Sequence, residues 1–373
     1  MDARPTPTIA TLISMDPIPR LQRTQAAIEQ HRLDVLLITH LPNIRYLCGF
    51  TGSAGVLVIT AREKVLLTDG RYTEQAKLEV KGAKVKIAKK PALAAAAEWL
   101  QKHPRLTRIG IEAAHLSVAE RDSLATAIRK GTKIVASPPI VEPLRMIKDE
   151  QEIASIRAAC KLGVDLFGTL ASKLRPKVTE SQLAGELEFA ARQAGAEQMA
   201  FSTIIAGGQR SALPHGRASS ASIPAEGFVV CDFGVILAGY CSDMTRTVHV
   251  GRPQTEASSA YEAVKEAQQA ALDAIKPGTT VGEVDHAARK LLYNHGLGKF
   301  FTHSTGHGLG LEIHEAPKIA AAQKEVLRPG MVVTIEPGVY IPGKWGIRIE
   351  DTVVVTETGC EILTSCPKDL LTL

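Results

Sequence analysis

Residues 229–250 read VVCDFGVILAGYCSDMTRTVHV. Val229, Val230, Phe233, Val235, Ile236, Leu237, Tyr240, Val248 and Val250 predict buried strands, with Gly234 and Gly239 loosening the backbone between them. Two carboxylates, Asp232 and Asp243, stand eleven positions apart inside this apolar hairpin. A carboxylate in such a strand is costly unless a cation or a charged partner compensates it. Two in one hairpin suggest a metal. For the hairpin taken alone, two turn aspartates on a solvated edge are the plainer reading.

Further along, residues 303–315 read HSTGHGLGLEIHE, so three of the chain's 11 histidines, His303, His307 and His314, fall within twelve positions. Glycines at 306, 308 and 310 interleave them, which predicts a tight loop or strand edge and not a helix face. Neutral imidazole is a common metal ligand and an acid–base group near neutral pH. Residues 331–356 then place Glu336 at the end of one apolar strand and Glu350 within another. Asp232, Asp243, Glu336, Glu350 and a histidine form an oxygen-rich donor set. It suits Mn²⁺, Co²⁺ or Fe²⁺, or a carboxylate-bridged Zn²⁺ pair, better than a thiolate zinc site. Four carboxylates carry about four negative charges, which favours two divalent ions over one.

The chain's 373 residues suffice for two domains, and 45% apolar with 22% charged residues is the composition of a globular protein. A net charge of +5 without a basic cluster argues against nucleic-acid binding. No apolar run reaches the length of a membrane span. Asp2 and the lone Arg4 make a poor signal-peptide start, so residues 1–15 are expected to be a disordered tail, or Met15 to be the true initiator. The six cysteines form no CxxC pair, and a reducing cytoplasm is expected.

Strands and helices alternate over residues 16–137, an α/β pattern with helices predicted at 18–32 and about 72–81. Pro138, Pro139 and Pro143 mark a boundary. Beyond it a long helix is predicted from near Lys148 to about 174 and a second over 179–194, followed by strands and another helix pair split at Pro277-Gly278. These come in blocks, which reads as α+β; the two helix-pair-plus-strand blocks suggest a diverged duplication.

Five motifs now stand in order: SALPHG at 211–216, D-x10-D, H-x2-GHGLG-x3-HE, IEPG at 335–338 and GIRIED at 346–351. With these, residues 144–357 resemble the pita-bread metallopeptidases, in the proline-directed branch of aminopeptidase P, prolidase and the creatinase relatives. GFTGSAG and LLTDGRY, within 49–72, resemble the amino-terminal domain of aminopeptidase P-like proteins. The resemblance implies a creatinase-like α/β domain at 16–143, a pita-bread α+β catalytic domain at 144–373 and a homodimer. Arg71 and Tyr72 fit an active-site or interface role and an ordinary strand end equally well.

The resemblance makes Asp232, Asp243, His307, Glu336 and Glu350 ligands of two divalent ions, Mn²⁺ first, with Co²⁺, Zn²⁺ or Fe²⁺ as alternatives. Asp243 and Glu350 would bridge the pair. His215 and His314 would contact substrate, and Glu336 would shuttle a proton. His303 and Arg348 would support the ligands, Arg348 by pairing with Asp232, and Thr245 would sit beside the metals. His249, His286 and His295 read as structural or exposed, and Asp351 as pointing away from Glu350's side. The implied activity is an Xaa-Pro aminopeptidase acting on proline-containing peptides. The alternatives are an Xaa-Pro dipeptidase (prolidase) and, further off, a non-catalytic binding module on the same fold.

Overall fold

The structure is a computed structural model describing residues 16–373; the expected tail at 1–15 lies outside the described residues. The chain divides into two compact units between Arg145 and Met146.

The first unit is built on one six-stranded sheet. Its strands are β1 (Val35–Ile38), β2 (Val56–Thr60), β3 (Lys64–Asp69), β4 (Lys84–Ala88), β5 (Arg108–Glu112) and β6 (Lys133–Ser137), in the order β4-β3-β2-β1-β5-β6. β1 runs parallel to β5 and antiparallel to β2. Every residue of β1, VLLI, is buried, as expected of a central strand covered on both faces. β4, KVKIA, closes one edge with alternating lysines, which discourage further pairing. The helices at Ile18–Gln30 and Thr73–Glu79 are slightly shorter than their patterns predict. A helix at Leu41–Cys48 was not predicted; it is eight residues long and ends on Gly49 in the left-handed conformation.

In the second unit, capping boxes begin three of the four long helices: Asp149/Glu152 opens Glu150–Lys173, Thr179/Gln182 opens Glu180–Gln193, and Thr280/Glu283 opens Val281–Asn294. The fourth helix is Thr255–Ala274. The first helix pair shares a hydrophobic core with Val229, Cys231, Phe233, Met244 and Val248. The second packs with Val333, Ile335, Ile347, Ile349 and Val353. Each block thus buries its helix pair largely on its own strands, with Phe228 of the first block joining the second core.

The strands of the first block are β7 (Gln198–Met199), β8 (Ile204–Gly207), β9 (Gly227–Phe233), β10 (Val235–Leu237), β11 (Tyr240–Cys241) and β12 (Met244–Val250). Residues 229–250 are therefore not one hairpin. β9 pairs β12 antiparallel with Asp232 opposite Thr245, while β10 and β11 form a smaller hairpin beside β7. The division occurs at Gly234, where an added Cβ would lie 1.9 Å from the Ser242 carbonyl oxygen. Only glycine permits this approach, which draws the two ends of the inserted hairpin together. Ala238 and Gly239, both at positive φ, turn it as a two-residue loop.

The second block contributes β13 (Gly306–Gly308), β14 (Glu315–Ile319), β15 (Val332–Ile335), β16 (Gly338–Ile341), β17 (Trp345–Arg348), β18 (Asp351–Val355) and β19 (Cys360–Ile362). Five form a sheet in the order β14-β13-β15-β18-β19, and β16 pairs β17. Glu336 follows β15 directly, as expected. Glu350 lies in the break between β17 and β18, not within a strand, and its N–H donates to the Thr245 carbonyl at 3.1 Å. Asp351 engages Arg246, Gln268 and Lys368, away from Glu350's carboxylate neighbours. Among the described residues, no helix is long and apolar enough to cross a membrane.

Candidate metal centre

A cavity of about 650 Å³ opens in the second unit, and nine of the predicted site residues line it: His215, Asp232, Asp243, His303, His307, His314, Glu336, Arg348 and Glu350. Thr245 is fully buried beside it and donates its hydroxyl to Glu350 Oε2 at 2.7 Å. β9, β12, β13 and the ends of β15 and β17 converge here, so the donor residues from Asp232 to Glu350, scattered along the chain, meet at one place.

Asp243, His307 and Glu350 each present a donor atom, and the three atoms lie within 4.8 Å of one another. His307 Nε2 is 3.6 Å from Asp243 Oδ2 and 3.5 Å from Glu336 Oε1. The other ring nitrogen, Nδ1, faces the Gly308 carbonyl at 3.0 Å. A carbonyl can only accept, so Nδ1 carries the proton and Nε2 turns its lone pair toward the carboxylates. Burial lowers the His307 pKa to about 4, which keeps the ring neutral near pH 7. A neutral imidazole is no ion-pair partner for these carboxylates; its lone pair and theirs suit a cation between them.

Burial, then repulsion from Glu350, Asp232 and Glu336, pushes the Asp243 carboxyl well above its ordinary range. Burial and the neighbouring carboxylates do the same to Glu350, and burial raises Glu336 to about 7. Asp232 Oδ2 is held by Arg348, while Oδ1 is buried with no hydrogen-bond partner. An orphaned carboxylate oxygen, converging donor atoms and crowded like charges fit a site for divalent cations.

Arg348 also donates Nη1 to Tyr340 Oη at 2.5 Å and to the Pro214 carbonyl at 3.1 Å, and Nε to Thr245 Oγ1 at 3.1 Å. Tyr340 Oη lies 3.0 Å from His303 Nε2, and His303 Nδ1 lies 2.8 Å from the Ser304 carbonyl. Both nitrogens of His303 are thus occupied, which suits support and not direct chemistry. Tyr340 was missed in the sequence, because nothing in GVYIP marks its hydroxyl as the link between His303 and Arg348. His215 is exposed on the cavity wall. His314 stacks edge-on to His307, ring centroids 4.4 Å apart, and burial with nearby His215 lowers its pKa. Arg217 and Lys318 also line the cavity, and among the described residues neither makes an ion pair.

The profile described as metallopeptidase family M24 matches residues 154–357, and that of the Creatinase/Prolidase N-terminal domain matches 20–147. An Xaa-Pro dipeptidase of Pyrococcus furiosus is 37% identical, over 94% of this chain and 99% of the relative. Among solved structures, an Xaa-Pro dipeptidase from Bacillus anthracis aligns with a TM-score of 0.93 at 39% identity, over 96% of this chain and 100% of the other. An X-Pro aminopeptidase from Thermotoga maritima aligns with a TM-score of 0.86 at 36% identity, over 94% and 100%. The expected fold, a creatinase-like N-terminal domain followed by a pita-bread catalytic domain, is therefore the one found. The chain belongs to metallopeptidase family M24, as a proline-directed peptidase with a creatinase/prolidase N-terminal domain.

Proposed function

We propose that this protein is a metal-dependent Xaa-Pro dipeptidase, hydrolysing the bond before a C-terminal proline, with Asp232, Asp243, His307, Glu336 and Glu350 holding two divalent cations. The observation that carries the metal reading is the convergence of Asp243, His307 and Glu350 donors within 4.8 Å, beside the orphaned oxygen of Asp232. Mn²⁺ fits the oxygen-rich donor set first, with Co²⁺, Zn²⁺ and Fe²⁺ as alternatives. The sequence favoured an aminopeptidase. Full-length relatives named Xaa-Pro dipeptidase support the shorter substrate instead. Arg217 and Lys318 on the cavity wall add a counter-charge for a dipeptide's C-terminal carboxylate, which a longer peptide carries further away.

An Xaa-Pro bond is a tertiary amide with no N–H for the enzyme to grip, so the substrate is held by its ends and its ring. Bound cations would polarise the scissile carbonyl and lower the pKa of the attacking water. Glu336, at the cavity wall, accepts a proton and returns it to the departing proline nitrogen. His314 and His215 donate hydrogen bonds to the developing oxyanion and the substrate backbone. Thr245 and Arg348 hold Glu350 and Asp232 in place throughout. The free cysteines fit a cytoplasmic enzyme, and we expect a homodimer.

The test gives metal-reconstituted protein Ala-Pro and Ala-Pro-Ala in parallel. The dipeptide is expected to be cleaved and the tripeptide left intact. Comparable cleavage of both would restore the aminopeptidase reading.

A further inference from the structure

Arg246 is an arginine on β12 that the mechanism does not use. It is 2% exposed, and its guanidinium reaches no substrate-facing group. Nη1 donates to two backbone carbonyls, Thr245 at 2.9 Å and Glu350. Nη2 bonds Asp351 Oδ1 at 2.7 Å, the Cys366 carbonyl at 2.9 Å and the Thr364 carbonyl at 3.3 Å. Nε reaches the Pro367 carbonyl at 3.2 Å. A planar, rigid fork of donors is thus spent almost entirely on backbone.

The two carbonyls under Nη1 lie where the halves of the centre join. Glu350 N–H donates to the Thr245 carbonyl at 3.1 Å, and the Thr245 hydroxyl donates to Glu350 Oε2 at 2.7 Å. Arg246 closes this junction from behind, on the side opposite the cavity donors. Its other nitrogens gather the chain's last segment. That segment is itself fastened to β12 by the His249 N–H, which donates to the Leu371 carbonyl at 2.9 Å, and to the helix Thr255–Ala274 by the Tyr261 hydroxyl, which donates to the Lys368 carbonyl at 3.0 Å.

We propose that Arg246 is a positioning residue for Glu350, fixing the backbone from which that carboxylate reaches the cations and making the C-terminal strap a part of the metal centre's frame. Asp351 turns away from the cavity for this purpose: it anchors the guanidinium whose other edge holds its neighbour's carbonyl. The inference rests on Glu350 being a metal ligand.

The experiment measures Mn²⁺ affinity of the chelated full-length protein by calorimetry, alongside its metal-free melting temperature. Four variants are compared: Glu350→Gln, Arg246→Lys, Asp351→Asn and Tyr261→Phe. Arg246→Lys keeps the charge but loses the fork, and it is expected to weaken Mn²⁺ binding by about 10-fold or more, the loss typical of removing a ligand's supporting partner. Tyr261→Phe loosens the same strap without touching the junction, so its Mn²⁺ affinity should match wild type even where its melting temperature falls. Wild-type affinity in Arg246→Lys, or an equal loss in Tyr261→Phe, overturns the proposal. If Arg246→Lys does not fold, Asp351→Asn is judged by the same criterion. Wild-type Mn²⁺ binding in Glu350→Gln would instead overturn the metal reading itself.

Discussion

Arg348 and Asp232 form a buried ion pair in which Nη2 binds Oδ2 and leaves Oδ1 buried without a protein partner. The arginine fixes which oxygen of the aspartate faces the cavity. Because the same guanidinium also holds Tyr340, Thr245 and the Pro214 carbonyl, a single side chain ties the metal donors to the loop that carries His215.

Arg348→Lys should therefore be a damaging exchange despite its conserved charge. An ammonium cannot reproduce a fork that serves four partners. The expected loss is about 10- to 100-fold in kcat/KM on Ala-Pro, with metal content below wild type at limiting metal. Steady-state kinetics with elemental analysis of the same samples checks this. Wild-type kinetics would show that Asp232 needs no orientation by Arg348.

Removing the metal should make stability fall as pH rises. In the folded, metal-free protein, burial and mutual repulsion raise Asp243 and Glu350 well above their ordinary range and Glu336 to about 7. In the unfolded chain these carboxyls titrate near their usual ~4. Between about pH 4 and pH 7 the folded state thus binds more protons than the unfolded state. Stability from this source is fully present below the unfolded values and is lost as pH rises through the folded ones. With chelator, the melting temperature should fall from pH 5 to pH 8; with saturating Mn²⁺ the ligands are ionised and that fall should disappear. A chelated protein that grows more stable over this range contradicts the like-charge cluster.

The donor set was legible because a carboxylate among strand formers is an anomaly visible at single positions, and Asp232, Asp243, Glu336 and Glu350 all show it. The long helices were legible from their apolar spacing and from breakers such as Pro277-Gly278, and the structure adds the capping pairs that open them, such as Asp149 with Glu152 and Thr280 with Glu283. What escaped depends on partners far away in sequence. The helix at Leu41–Cys48 has no side-chain cap; Glu112, some 70 positions on, instead holds the residues just before it, accepting from the Thr39 and His40 N–H groups at 2.6 and 2.8 Å. The apparent single hairpin at 229–250 splits because Gly234 lets the Ser242 carbonyl approach, a contact that no periodicity encodes. Tyr340 and Arg246 escaped likewise, since apart from the Thr245 carbonyl beside Arg246 their bonding partners lie 8 to 121 positions off.

Glu180 offers the sharpest separation of substrate binding from metal binding. Its carboxylate is fully buried at the start of the helix Glu180–Gln193. It accepts from Gly207 N–H at 2.9 Å, Arg210 Nε at 3.0 Å, Ser219 N–H at 3.0 Å and Ser219 Oγ at 2.6 Å. One carboxylate therefore clamps both stems of the loop 208–218, which carries His215 to the cavity wall. Glu180→Gln replaces an acceptor oxygen by a donor that faces donors, at a cost of about 1–3 kcal/mol in stability. The loop should loosen, and kcat/KM on Ala-Pro should fall about 10-fold, carried mainly by KM, because His215 acts on the substrate and not on the cations. Mn²⁺ affinity should stay at the wild-type value, since none of the five proposed ligands lies on this loop. If Glu180→Gln does not fold, Ser219→Ala removes the 2.6 Å bond alone and should shift KM in the same direction. An unchanged KM in the folded variant, or a loss of metal with it, would detach His215 from substrate binding and Glu180 from His215.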